Sequence, residues 1–548
     1  MQLRLACCAS AAALSVSFVP VLHAQDTPEP VETAEPAARE QTASPDPAAR
    51  RVDILNYAVS GNTLLSTVEV QRALQPYLGP ARPLADVDAA REALMNAFHA
   101  KGYETVNVII PEQQVANGNI RLEVVEMRVG RLRVEGATYY SPDDIRARMP
   151  SVKEGEVPNY NELSQELAGV NRSRDRMVSP TVRAGLEPGT VDIDLTVEDS
   201  LPLHGSIELN DRASSSTERL KVSASATYGN LFQADHSLSI QGQFSPEAPE
   251  ESWAVSASYA APIKGTPLTL VAYGVHTDSD VAALGGINVL GSGDIVGLRA
   301  IYSAVAGDPA APTVHQFTAG LDYKKFTESL LSDDNPSYTP IDYVPLMLRY
   351  DVSERRAAYD FDLGLGVAFG LRGLAADDIE FGLKRYNANA NWLALRGDLS
   401  YIRKLPGDWR VGGGFAWQYA GEPLISNEQF SIGGFDSVRG YYESYKIGDD
   451  GLSGQFEVHS PNFAGTGSFL RELRLFGFAD GGFIRIYDPL SVQEINGALA
   501  SVGGGVNVSA VHGLNGAVTV ARPFLEEGGT LTDFDSALRI QFRVWKAF

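Results

Sequence analysis

From Leu203 to the last residue, Phe548, the chain consists of short segments in which apolar residues take every second position. Leu220, Val222, Ala224, Ala226 and Tyr228 alternate with Lys221, Ser223, Ser225 and Thr227. Trp409, Val411, Gly413, Phe415, Trp417 and Tyr419 repeat the pattern, with aromatics near both ends. In the last segment Leu538, Ile540, Phe542, Val544 and Phe548 share one face, interrupted by Lys546, and Arg539, Gln541, Arg543 and Trp545 share the other. A period of two belongs to strands with two unlike faces. Crossing a tilted barrel wall takes about 9–11 residues, so residues 201–548 hold roughly sixteen such strands with their connections. A soluble β-sandwich is the competing reading; the girdle-like aromatics and the even number of strands favour a membrane barrel.

The other end of the chain agrees. Arg4, the apolar stretch Ala6–Val21 and Leu22-His23-Ala24 before Gln25 read as a signal peptide, residues 1–24. Cys7 and Cys8, the only cysteines, lie inside it, so the mature chain needs neither a disulfide nor a thiolate metal site. A lipoprotein reading of Leu5-Ala6-Cys7 suffers from too short a charged region. Beyond the signal no apolar run reaches the roughly 18 residues of a membrane helix. Residues 25–51, rich in Pro, Ala and Glu, read as a linker. The formal net charge of -23 argues against nucleic acid as a partner. No H-E-x-x-H, G-x-S-x-G or Gly-Lys phosphate loop occurs, and the histidines are scattered singly. Hence no catalytic residue, metal or cofactor is expected, and an enzyme is not.

Between linker and barrel the sequence repeats itself weakly over about seventy residues. Residues 52–127 open with a strand, Ile54–Val59, and a turn at Gly61-Asn62. A helix capped by Ser66 should run through Leu78, and a second carries Leu84, Val87, Ala90, Leu94 and Phe98. Strands Val106–Ile110 and Ile120–Val125 follow. Residues 128–200 repeat the layout, with a glycine turn at Gly136, helices from Ser141 and Asn161, and strands Thr181–Leu186 and Val191–Val197.

Within the barrel region one segment departs from alternation: Phe430–Tyr445, FSIGGFDSVRGYYESY. Gly433-Gly434 permits a tight bend, and Val438-Arg439-Gly440-Tyr441 would form a hairpin tip. An external loop would expose its aromatics without purpose, so the segment 420–450 is expected to fold into the lumen. There Arg439 needs a carboxylate, because an unpaired buried charge is costly. Alternation along Leu470–Ile484 puts Glu472, Arg474, Phe476, Phe478 and Asp480 on the lumen face, and Asp480 is the expected partner.

These motifs, in this order, resemble the two-partner secretion transporters, the TpsB group of haemolysin activators and adhesin exporters. Val438, Arg439, Gly440 and Tyr441 match the group's loop tip, and Phe478, Asp480 and Gly482 match its barrel-wall motif. Gly433, Gly434 and Phe435 would support the loop. Gly102, Tyr103, Pro111, Glu112 and Gln113 match the first of two POTRA modules, and Phe548 would be the barrel's C-terminal signal. The resemblance implies α+β periplasmic modules followed by an all-β outer-membrane barrel in a Gram-negative bacterium. It also implies an unfolded secreted exoprotein as client, captured near the first module's second helix and neighbouring strand. Outer-membrane lipid and the barrel assembly machinery, for the chain's own insertion, would be further partners. A pore-plugging helix near the N-terminus is opposed by the prolines of residues 25–50. The nearest rival is a barrel assembly factor, which shares the loop motif; a passive porin would lack the modules.

Overall fold

The computed structural model describes residues 51–548 except 115–116, 250–251, 279–280, 285–286, 309–310, 328, 331–336, 466, 468, 492 and 528–536. The expected signal peptide 1–24 and the linker up to residue 50 lie outside the described residues. The chain divides near Leu201 into two compact units.

The N-terminal unit contains two modules of one topology. In the first, Asn56–Ser60 runs parallel to Asn119–Glu126, which pairs antiparallel with Val106–Ile109. In the second, Arg128–Glu135, Thr190–Asp199 and Arg176–Ala184 repeat this arrangement. Gly61 and Gly136 occupy equivalent turns at φ +80° and +89°, and at each a side chain would strike a carbonyl oxygen, of Val124 and Val197. The recurring glycine therefore marks a shared steric need.

Two helices cover each sheet. In the first module Thr67–Leu74 starts with a capping box: the Glu69 amide donates to Ser66 Oγ at 3.4 Å and the Ser66 amide to Glu69 Oε2 at 3.0 Å. Lys101 at 2.7 Å, with Ser66, holds the Glu69 carboxyl down at about 2. Ser66→Ala should lower the stability of this module by about 1 kcal/mol, read as a shifted urea midpoint of the N-terminal unit. The second helix, Ala85–His99, buries Val87, Ala90, Leu94 and Phe98.

Some boundaries differ from expectation, each for a local reason. The first helix stops at Leu74 rather than Leu78, because Pro76 has no amide hydrogen to continue it and the chain tightens into Gln75–Tyr77. Leu84 precedes the second helix instead of joining its apolar face. The opening strand breaks at Leu55, whose amide donates to Gly118 O at 2.8 Å, and Arg51–Ile54 pairs separately with Gly79–Pro83. The strand expected at Thr181–Leu186 is Arg176–Ala184; Leu186 sits in an exposed turn closed by Gly185 N to Thr190 O.

Residues 203–547 form a closed antiparallel barrel of sixteen strands. Its eighth strand is interrupted: Ile341–Tyr343 and Pro345–Arg355 both pair with Thr313–Phe326, the break falling where Pro345 cannot donate to a ladder. The last strand, Arg539–Ala547, closes on the first, Leu203–Asn210. Phe548 and Gly205 exchange backbone hydrogen bonds of 3.0 Å at the seam.

Alternation sorts the two faces as expected. Ile540, Val544 and Phe548 are exposed on the outside, whereas Gln541 is buried inside. Charges on the inner face are paired: Arg299 with Asp322 at 2.5 Å, Arg349 with Asp398 at 2.7 Å, Arg543 with Glu208 at 2.7 Å. An apolar outside and a polar, ion-paired inside are what a membrane barrel requires.

Candidate functional site: an arginine loop docked on the barrel wall

The connection between strands Arg410–Tyr419 and Asp450–His459 folds inward. Its base is a short ladder, Phe430–Ile432 with Lys446–Gly448. Gly433 and Gly434, at φ +107° and +100°, then turn the chain toward the wall, a path that side chains other than glycine's resist. Next to the bend the Phe435 ring lies under Arg212, 5.1 Å away, and Arg212 makes a bidentate pair with Asp436 at 2.8 and 2.9 Å. The Phe435 carbonyl accepts from Gln455 Nε2 on the wall.

At the tip, Arg439 meets the residue that alternation pointed to. Its Nε and Nη2 donate to the two oxygens of Asp480 at 2.7 and 2.8 Å, and its backbone amide adds a third bond at 3.1 Å. Nη1 donates to Glu457, whose other oxygen lies 2.7 Å from His459 Nε2. The guanidinium also sits 3.8 Å above the Phe478 ring centroid, a cation–π distance. Arg439, Asp480 and Glu457 are each no more than 6% exposed. Such charges persist only fully paired and hydrogen-bonded, as these are.

The neighbouring positions are built around this contact. Val438 packs with Ile432, Tyr441, Ile484 and Leu499. Gly482 leaves the room they need: a Cβ there would lie 3.0 Å from Ile432 Cγ2 and 3.1 Å from Val438 Cγ2. The Gly440 amide donates to Gln541 Oε1 at 3.1 Å, and the Tyr441 hydroxyl reaches the carbonyls of Leu525 and Ala500 at 2.6 and 3.1 Å. Phe478 and Phe476 lie flat because the adjacent strand offers glycines: a Cβ on Gly503 or Gly505 would sit 2.5 and 2.6 Å from their ring tips.

The base of the loop is anchored with the opposite polarity. Glu428 accepts from Lys324 and Tyr343, both at 2.6 Å, and from Arg396 at 2.8 Å. Asp449 takes a bidentate pair from Arg385 at 2.6 and 2.8 Å and the amides of Leu424 and Tyr487. Loop carboxylates thus hold the base, and a loop cation holds the tip.

The first-module residues belong to the other unit and have structural neighbours there. Gln113 bonds both backbone groups of Arg121 at 2.7 and 2.8 Å, extending the sheet past the end of Val106–Ile109. Gly102, at φ +93°, accepts from the Tyr160 amide of the second module at 2.8 Å, and Tyr103 lines the cleft between the modules. Pro111 is half-buried and Glu112 exposed. Sequence reasoning missed Glu457, His459, Gln541 and the anchors Glu428 and Asp449. Gly503-Gly504-Gly505, a run inside a strand, was the available signal for the aromatic platform.

Comparisons with known proteins agree with this architecture. The family described as haemolysin secretion/activation protein ShlB/FhaC/HecB matches residues 189–508, more than half of the chain, and the ShlB-type POTRA domain matches residues 52–126. The outer membrane transporter CdiB of Dickeya dadantii (strain 3937) is 23% identical over 84% of this chain and 81% of its own length. The heme/hemopexin transporter protein HuxB of Haemophilus influenzae (strain 86-028NP) is 20% identical over 84% and 81%. The solved structure of CdiB from Escherichia coli superposes with a TM-score of 0.63 at 20% identity, covering 93% of both chains.

Proposed function

This chain belongs to the haemolysin secretion/activation protein family ShlB/FhaC/HecB, and we propose that it exports a large partner exoprotein, of adhesin or haemolysin type, through its barrel lumen. It is an outer-membrane transporter with its POTRA modules in the periplasm. The client arrives unfolded and is captured by the modules. Val106–Ile109 is an edge strand beside the helix Ala85–His99, paired on one side only. A client segment adds to that edge through backbone hydrogen bonds, a mode tolerant of sequence.

The observation that carries the reading is the buried Arg439–Asp480–Glu457 contact. It holds a loop inside the lumen that a permanently open pore would not need. Transit displaces the tip from the wall, and folding outside biases the direction, with no catalysed reaction in the cycle. Lipid contacts the apolar face, and the last strand, Arg539–Ala547, with Phe548 after it, is what the assembly machinery reads when the barrel inserts. Two modules rather than a longer array favour export over barrel assembly.

Cells making only residues 201–548 behind a signal peptide test the division of labour. The barrel should still insert, seen by heat-modifiable mobility, while secretion of the partner falls to background. Unchanged secretion would remove the modules from the mechanism; depletion of other outer-membrane barrels without a secretion defect would favour the assembly reading.

A further inference from the structure

Every group that grips the Arg439 guanidinium sits on a barrel strand. Asp480 and Phe478 belong to Leu470–Arg485, and Glu457 to Asp450–His459. Only the cation belongs to the loop. The grip therefore remains in place when the tip is displaced, as the proposed export cycle requires.

The wall beside the grip carries further polar atoms. Gln455 and Ser501 are the cross-strand partners of Asp480 on its two sides and so face the same way. Both are at least nine-tenths buried, and Gln455 Oε1 and Ser501 Oγ have no hydrogen-bond partner among the described residues. Two carboxylates and an aromatic face at 3.8 Å make a receptor shaped for a flat, multiply donating cation. An ammonium ion, a compact point charge, matches the carboxylate fork and the ring face less well than a planar guanidinium does.

We propose that the barrel wall carries a preformed guanidinium site, filled at rest by Arg439 and, once the loop is displaced, by an arginine side chain of the polypeptide in transit. The inference rests on the export reading. Exchange of one guanidinium for another lets the tip leave without stranding Asp480 and Glu457 as unpaired buried anions. Loop displacement then becomes an equilibrium that the client itself shifts, by its differential affinity for the vacated state.

Binding is tested without export, so its failure is distinguishable from failure of that reading. Full-length Arg439→Ala protein in detergent is heated with ethylguanidinium or ethylammonium chloride at equal ionic strength. Ethylguanidinium should raise the unfolding midpoint saturably, with half-effect at a concentration at least about fivefold below that of ethylammonium. The rise should vanish in Arg439→Ala/Asp480→Asn. Equal responses to the two cations, or a response that survives loss of Asp480, would overturn the site.

Should the alanine variant not fold, wild-type channels in planar bilayers give the same decision. Ethylguanidinium competes with Arg439 and should raise the open fraction at least about threefold over ethylammonium; no difference overturns the proposal. An unstructured arginine-containing peptide, added from the module side, should prolong openings relative to its lysine counterpart. A site that takes the small cation but does not distinguish the peptides would overturn the role in transit.

Discussion

Arg439→Ala should reduce secretion of the partner at least about tenfold while the barrel still inserts, and it should cost more than Asp480→Ala. Arg439 stands between two buried carboxylates, so its removal leaves Asp480 and Glu457 facing each other without a cation. Breaking a buried pair in this way costs about 3–5 kcal/mol. Asp480→Ala leaves Arg439 one partner, Glu457, and the penalty is smaller. The double variant should be no worse than Arg439→Ala, because removing Asp480 also removes one stranded charge; the remaining Glu457 keeps His459 at 2.7 Å. Heat-modifiable midpoints and secretion, measured on the same four proteins, check both halves. Additive losses would contradict a shared contact.

A disulfide between Val438→Cys and Gly482→Cys should stop export reversibly. A Cβ on Gly482 would stand 3.1 Å from a methyl of Val438, which puts the two Cβ atoms within disulfide reach. The substitution at Val438 removes one of the contacts a side chain at Gly482 would make, whereas Ile432 Cγ2 at 3.0 Å has to give by a few tenths of an ångström, so the pair is strained less than Gly482→Val alone, which should cost about 1–3 kcal/mol. Both native cysteines, Cys7 and Cys8, lie in the expected signal peptide, so no other thiol competes. With the bridge formed, secretion should fall on the order of tenfold to a hundredfold, and reductant should restore it. Each single-cysteine variant serves as the unlocked reference. Secretion indifferent to the bridge would mean that the tip does not leave the wall during transit.

What the sequence disclosed follows from which residues face unlike surroundings. Along Arg539–Phe548 the lipid and lumen faces demand opposite chemistry, so a period of two is written into the chain, and Ile540, Val544 and Gln541 take the expected sides. The same period put Asp480 and Phe478 on the lumen face of their strand. Glu457 was not legible. Its place beside Arg439 depends on the register that sets Glu457 opposite Phe478, and register is a property of two strands together. The anchors Glu428 and Asp449 are hidden for a similar reason: their partners Lys324, Arg396 and Arg385 are brought in from separate strands and loops. In the modules the Ser66 cap was readable, whereas the helix expected from Asn161 is Tyr160–Val170, capped by Asn159, and the strand starting at Arg176 was not legible, since its first residues lack an alternating signal. Proline breaks at Pro76 and Pro345 were visible as letters, but their effect depended on the neighbouring ladder or turn.

The central claim is that the partner passes through the lumen, and a photocrosslinking amino acid placed on either side of one strand tests it most directly. In Pro345–Arg355, Asp351 shares the inner face with Arg349, whereas Leu348 is exposed on the outer face. With an exoprotein stalled by a folded domain fused to its trailing end, a probe at position 351 should form an adduct with it and a probe at 348 should not. Adducts at 348 alone, or none at 351 while the stalled protein is displayed outside the cell, would contradict passage through the barrel.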